Sequence, residues 1–95
     1  MGELGADTRV RPGRDVLMTK VDESSAVLLD PHTKVYFTLN ESGIFLWEEL
    51  VESGESTAAV LSGALCGAFE VSPDRAEADV LSFLRELESQ GLVSR

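Results

Sequence analysis

The chain has 95 residues, which is enough for one small domain with one modest core. Its hydrophobic share of 43% and charged share of 26% are ordinary for a globular domain, and no apolar run reaches the ~18–20 residues of a membrane span. Seventeen acidic residues against eight Lys and Arg give a formal net charge of −9. Nucleic-acid binders draw most of their affinity from phosphate neutralisation, so this balance speaks against such a ligand and favours a basic or neutral peptide.

The first segment, Met1–Gly13, has no periodicity and no apolar h-region of a secretory signal. It reads as a loose, flexible tail or an early edge segment, with the domain proper spanning residues 14–95. Val16–Val21 is β-prone, and Asp22–Ser25 is a turn cluster. Ala26–Leu29 is a second strand, and Asp30–Thr33 a second turn in which Pro31 fixes φ. Lys34–Leu39 is a third strand, rich in aromatic and β-branched residues. Turns this short imply an antiparallel meander with the first and third strands at its edges.

Three helices follow. Asn40 caps the first, with Glu41 in its first turn and Ile44, Trp47, Leu50 and Val51 on one face. Phe45 and Trp47 read as core residues, and Gly54 ends the helix. Ser56 is expected to cap the second helix, which carries Val60, Leu61, Ala64, Leu65 and Ala68 inward. Ser72, Pro73 and Asp74 start the third helix. Gly91 and Leu92 end it in a Schellman motif, with Leu92 packing on Leu87. Its apolar stripe of Ala76, Val80, Phe83, Leu84 and Leu87, widened by Leu81, exceeds the ~100° a core-facing helix needs. One margin of that helix is therefore available for something other than core. The whole is an α+β fold of winged helix-turn-helix type: a three-stranded antiparallel sheet followed by three helices.

The sequence assembles no catalytic constellation. His32 lies in a turn beside a proline and reads as a turn residue, since a general base needs an oriented partner. Cys66 falls on the apolar side of the second helix and reads as core. One Cys and one His do not close a zinc site, and a single Cys forms no internal disulfide, which fits a reducing cytoplasm. Glu48, Glu49 and Glu52, then Glu70, Asp74, Glu77 and Asp79, follow no calcium-loop spacing. They read as a solvated acidic face, or as an attractor for a basic peptide.

The ordered set Val35-Tyr36-Phe37-Thr38-Leu39-Asn40, Ser42-Gly43, Trp47, Val80, Phe83-Leu84 and Gly91-Leu92-Val93 resembles the PqqD-like family, across about Arg14 to Arg95. Members of that family are recognition elements for ribosomally made, post-translationally modified peptides. The chain looks most like its stand-alone leader-binding members from lasso peptide biosynthesis. The resemblance implies a non-enzymatic cytoplasmic module with no cofactor. It implies a precursor-peptide leader as partner, presented to a leader protease or other modifying enzyme. It also implies that the leader adds as an extra strand on the third strand's edge, in a groove walled by the third helix. The alternatives are a peptide chaperone for a radical enzyme of quinone-cofactor biosynthesis and, in another class, a winged-helix transcription regulator. The third helix carries only Arg75 and Arg85 as bases, which argues against the regulator.

On this reading the leader backbone pairs with Lys34, Val35, Tyr36, Phe37, Thr38 and Leu39. Side chains enter a pocket lined by Val35, Phe37, Ala76, Val80 and Phe83, with Arg75 and Asp79 on its margin. The strand carries neither Pro nor an inward charge to blunt its edge. Periodicity leaves open whether the Leu81 side of the helix is the wall instead, and whether Tyr36 or Phe37 faces inward.

Overall fold

The computed structural model describes residues 3–95. Its elements run β1 (Arg9–Pro12), β2 (Leu17–Asp22), β3 (Ser25–Leu29), β4 (Tyr36–Leu39), α1 (Glu41–Ser53), β5 (Ser56–Thr57), α2 (Ala58–Ala68), α3 (Pro73–Ser89) and β6 (Val93–Ser94). The expected meander is present as an antiparallel sheet in the order β2-β3-β4, followed by three helices. Asp22 holds the first turn by accepting from the Ser24 amide at 2.9 Å and the Ser25 hydroxyl at 2.8 Å. Asp30 holds the second by accepting from the His32 amide at 2.9 Å.

A second, smaller antiparallel sheet, β5-β1-β6, is not foreshadowed by the sequence pattern. Its central strand comes from the segment expected as a flexible tail or early edge. Leu4 and Val10 of that segment are buried in the core, so residues 3–13 pack on the domain; Met1 and Gly2 lie outside the described residues. Arg9 and Val10 pair with Thr57 and Ser56, and Arg11 and Pro12 with Ser94 and Val93. The Gly13 amide donates to the Leu92 carbonyl at 2.8 Å. A Cβ on Gly13 would stand 3.0 Å from that oxygen and 2.7 Å from a Val16 methyl, so the close approach to Leu92 at this point needs a residue without a side chain.

The helices start and stop largely where their caps demand. The Asn40 side chain accepts from the Gly43 amide, and Ser72 from the Arg75 amide. Gly54 ends α1 at φ 80°. At the end of α3, Gly91 takes φ 76°. The Leu92 amide reaches the Leu87 carbonyl at 2.9 Å and the Gly91 amide the Glu88 carbonyl at 3.0 Å, which is the expected Schellman ending. The cap of α2 differs: Thr57 accepts from the Val60 amide, while Ser56 is buried in β5.

Leu28, Leu39, Leu50, Leu61, Leu84, Leu87, Leu92, Val10 and Val80 form the fully buried core, each large aliphatic side chain contributing about 1.5–3 kcal/mol by leaving water. Trp47 joins them, and Phe45 packs edge-on against Phe69 at 5.6 Å between ring centroids. Val51 and Val60 are exposed instead of inward, Ala68 is exposed, and Cys66 is only partly buried. The buried face of α2 is Ala58, Leu61 and Leu65, one notch away from the face that spacing alone selects.

Candidate functional site

Among the described residues, two strands of the larger sheet have an unpaired side, β2 and β4. The β2 edge carries Lys20 and Asp22 and a register shift between them, features that discourage pairing with another strand. The β4 edge carries Tyr-Phe-Thr-Leu with no charge and no irregularity.

The pairing phase of β4 follows from one hydrogen bond. The Asp30 amide donates to the Val35 carbonyl at 2.9 Å, which makes Asp30 and Val35 a hydrogen-bonded pair. With Leu29↔Tyr36, Leu28↔Phe37, Val27↔Thr38 and Ala26↔Leu39 in register, alternation gives Phe37 and Leu39 to β3. Tyr36 and Thr38 then point their N–H and C=O groups away from the sheet. Lys34 and Val35 fall outside the strand. Lys34 has φ 65°, and its amide donates to the Asp30 carbonyl at 2.8 Å. The Val35 amide donates to Thr33 Oγ1 at 3.3 Å. The expected six-residue ladder therefore contracts to Tyr36–Leu39, because the turn consumes the polar groups of its first two residues.

Phe37, not Tyr36, faces the helices. Its ring meets Phe83 of α3 edge-on, with centroids 6.5 Å apart. A hollow of about 390 Å³ opens there, lined by Phe37, Thr38, Leu39, Gly43, Phe83 and Glu86 among others. It shares Asn40, Gly43, Phe83 and Glu86 with a larger cleft of about 510 Å³. That cleft is floored by Leu46, Leu65 and Phe69 and rimmed by Glu70, Asp79 and Glu86. Beyond it lies a third depression with Glu70, Arg75 and Asp79. Arg75 Nε is 3.5 Å from Asp79 Oδ2, an exposed one-turn pair of slight strength. The groove is thus apolar at its base and acidic at its rim, with its one lining base already beside a carboxylate.

Asp79 and Phe83 line this cleft, and Leu81 is not among its lining residues. Ala76 and Val80 do not reach it: both are 0% exposed, since they form the centre of the buried stripe instead of its margin. Ser82 and Glu86 take their place. Both follow from Asp79 by helical steps of three and seven, a signal available once one margin is chosen. Asn40 was legible as a capping residue and Gly43 as part of the family motif, but neither as groove lining. Gly43 is held there by crowding, since a Cβ would sit 3.2 Å from Leu39 Cδ2.

His32 Nε2 lies 2.7 Å from Asp15 Oδ2, and both side chains are exposed; the contact ties the β3–β4 turn to the loop before β2. Among the described residues no three His, Cys, Asp or Glu side chains converge as a metal site, and no helix is long and apolar enough to cross a membrane.

The family model for coenzyme PQQ synthesis protein D, PqqD, matches residues 25–93. No curated protein matches. Among solved structures, the chain is similar to TbiB1 in complex with the TbiA(beta) leader peptide, at 28% identity over 88% of this chain and 94% of that one, with a TM-score of 0.75. It shares its fold with lasso peptide synthetase B1 complexed with the leader peptide, at 22% identity over 90% and 98% of the two chains and a TM-score of 0.74. It also shares its fold with the PqqD truncation of Methylobacterium extorquens PqqCD, a stand-alone recognition element for ribosomally synthesised and modified peptides. There the identity is 23% over 97% and 95% of the two chains, with a TM-score of 0.78.

Proposed function

This chain belongs to the PqqD family, and from that premise we propose that it captures the leader of a precursor peptide as an added strand on β4 and presents it to the enzymes of its pathway. The observation that carries the reading is the uncharged β4 edge, whose outward Tyr36 and Thr38 polar groups run beside the Phe37–Phe83 groove. Main-chain bonds to the edge supply affinity, and the groove selects alternate side chains. The acidic rim of Glu70, Asp79 and Glu86 favours a leader with basic residues and speeds its encounter. Lasso peptide maturation is the pathway that the motif resemblance favours, and the likeness to TbiB1 with its bound leader peptide accords with it; a leader protease is then the receiving enzyme.

The test is a calorimetric titration with the precursor peptide encoded beside this gene, and a parallel titration with random duplex DNA at low salt. Saturable binding of the peptide with a one-to-one endpoint is expected, together with weak or no binding of DNA. Tight DNA binding without peptide binding would refute the proposal.

A further inference from the structure

The opposite face of the larger sheet has a property that the groove does not explain. Leu17, Leu29 and Tyr36 are direct cross-strand partners on β2, β3 and β4, so all three side chains emerge on one face. It is the face away from Leu28 and Phe37, which turn toward the core and the groove. The three are 57%, 38% and 71% exposed. The row next to it is Thr19, Val27 and Thr38. Neither row contains a charge, in a protein of net charge −9. The apolar row runs the width of the sheet and stops at Tyr36, on the free edge.

We propose that the bound leader strand is read on both faces, and that an apolar leader side chain on the outer face extends the row Leu17–Leu29–Tyr36 to a fourth member. This rests on the strand-addition reading above and deepens it. Because Tyr36 directs its N–H and C=O outward, the leader residue beside it is held by the main chain, and laterally adjacent residues in a sheet share a face. That residue therefore lies against the Tyr36 ring, whichever way the leader runs. Its neighbour one position along faces the other way, into the groove between Phe37 and Phe83. The occupant is set by continuity: an exposed apolar row that ends on a pairing edge is completed by the strand that pairs there. The leader signature is accordingly two adjacent apolar positions with different readers, Tyr36 for one and Phe83 for the other.

The experiment is selection of a phage-displayed library of random linear peptides on the whole protein, on Tyr36→Glu, on Tyr36→Phe and on Phe83→Ser. Circular dichroism and thermal melting check each variant for folding. On the unaltered protein the enriched peptides align with two adjacent apolar positions. Tyr36→Glu removes the apolar preference at one of them and leaves the other, whereas Tyr36→Phe keeps both. Phe83→Ser removes the second and leaves the first. A selected peptide binds Tyr36→Glu several-fold more weakly, the effect of losing one cross-strand pair, about two- to fivefold, plus an unfavourable charge. Enriched peptides with a single apolar position, answering to Phe83 and indifferent to Tyr36→Glu, would overturn the two-faced reading while leaving strand addition in place. Failure of any peptide family to enrich on the unaltered protein would overturn both.

Discussion

The β2-β3-β4 sheet is made from one continuous stretch of chain, whereas the β5-β1-β6 sheet gathers its strands from near the start, the middle and the end of the sequence. The first has two tight turns, a polar-group edge left open and an apolar outer face. The second has strands of two to four residues, with Val10, Val93 and Ser56 buried. One sheet offers surface, and the other uses its pairing to clamp the chain ends onto the core. Under the proposed strand addition, binding and stability fall to different sheets, so substitutions should separate them.

The largest expected effect lies in the clamping sheet. Val10 is 0% exposed at the centre of β1. Val10→Asp buries a charge without a partner, against a total stability of only about 5–15 kcal/mol for a domain. We expect no cooperative unfolding transition by circular dichroism. The milder Leu4→Ala should lower stability by about 2–5 kcal/mol in a urea titration. Tyr36→Ser in the other sheet should stay within about 0.5 kcal/mol of the parent. Equal losses at Leu4 and Tyr36 would end the division of labour.

Next in size is a pair of prolines on adjacent residues of β4. The Phe37 amide belongs to the ladder with β3 and the Thr38 amide points outward. Phe37→Pro therefore removes an internal bond and should destabilise the fold. Thr38→Pro should leave the melting temperature near that of the parent and lower affinity for the neighbouring precursor peptide about tenfold or more, by deleting one leader-facing donor. The reverse assignment would place the ladder out of phase by one residue.

Legibility followed the same division. Local hairpins announce themselves through Asp22 and Asp30 turns and through Tyr36–Leu39 strand chemistry, and the α3 caps through Ser72, Pro73 and Gly91, because each signal lies within a few residues of its effect. The clamping sheet leaves no such trace. Pairs such as Arg9↔Thr57 and Pro12↔Val93 are fixed by tertiary closure, and strands this short show no periodicity. In the groove, Asp79 and Phe83 were legible as one margin of α3. Ala76 and Val80 were misplaced because a stripe's angular width does not say where its buried centre lies. Leu46, Leu65, Phe69 and Glu70 came from two other helices and the α2–α3 connection, and only packing brings them together.

A smaller effect is expected at the groove rim. Asp79 is exposed, so Asp79→Lys should leave stability unchanged and weaken a basic peptide roughly fivefold at low salt, less as salt rises. The i,i+4 contact to Arg75 is lost in the same variant, at a cost within the scatter of exposed pairs. Insensitivity of affinity to both the substitution and the salt would remove the rim from recognition and leave the apolar floor alone.

The smallest expected effect is a pH dependence that again distinguishes the two sheets. Beside β6, Arg95 bonds Glu88 at 2.7 Å and 3.2 Å and holds its carboxyl below the usual value of 4.5. In the β2–β3 turn the Ser24 amide, and next the Ser25 hydroxyl, hold Asp22 below its usual 3.8. Both are depressed carboxylates, so both contribute stability that is complete above their unfolded values and disappears as pH falls through the folded ones. Glu88→Gln should thus be less stable than the parent at neutral pH, with the gap closing below pH 4.5. Asp22→Asn should behave alike, with its gap closing below pH 3.8. Salt tells them apart. Glu88 answers to a cation and its gap should narrow in high salt, whereas Asp22 answers to an amide and a hydroxyl and its gap should persist. Urea titrations at two pH values and two salt concentrations measure both gaps under each condition. A Glu88 gap unmoved by salt would mean that geometry, not charge, ties the end of α3 to the clamping sheet.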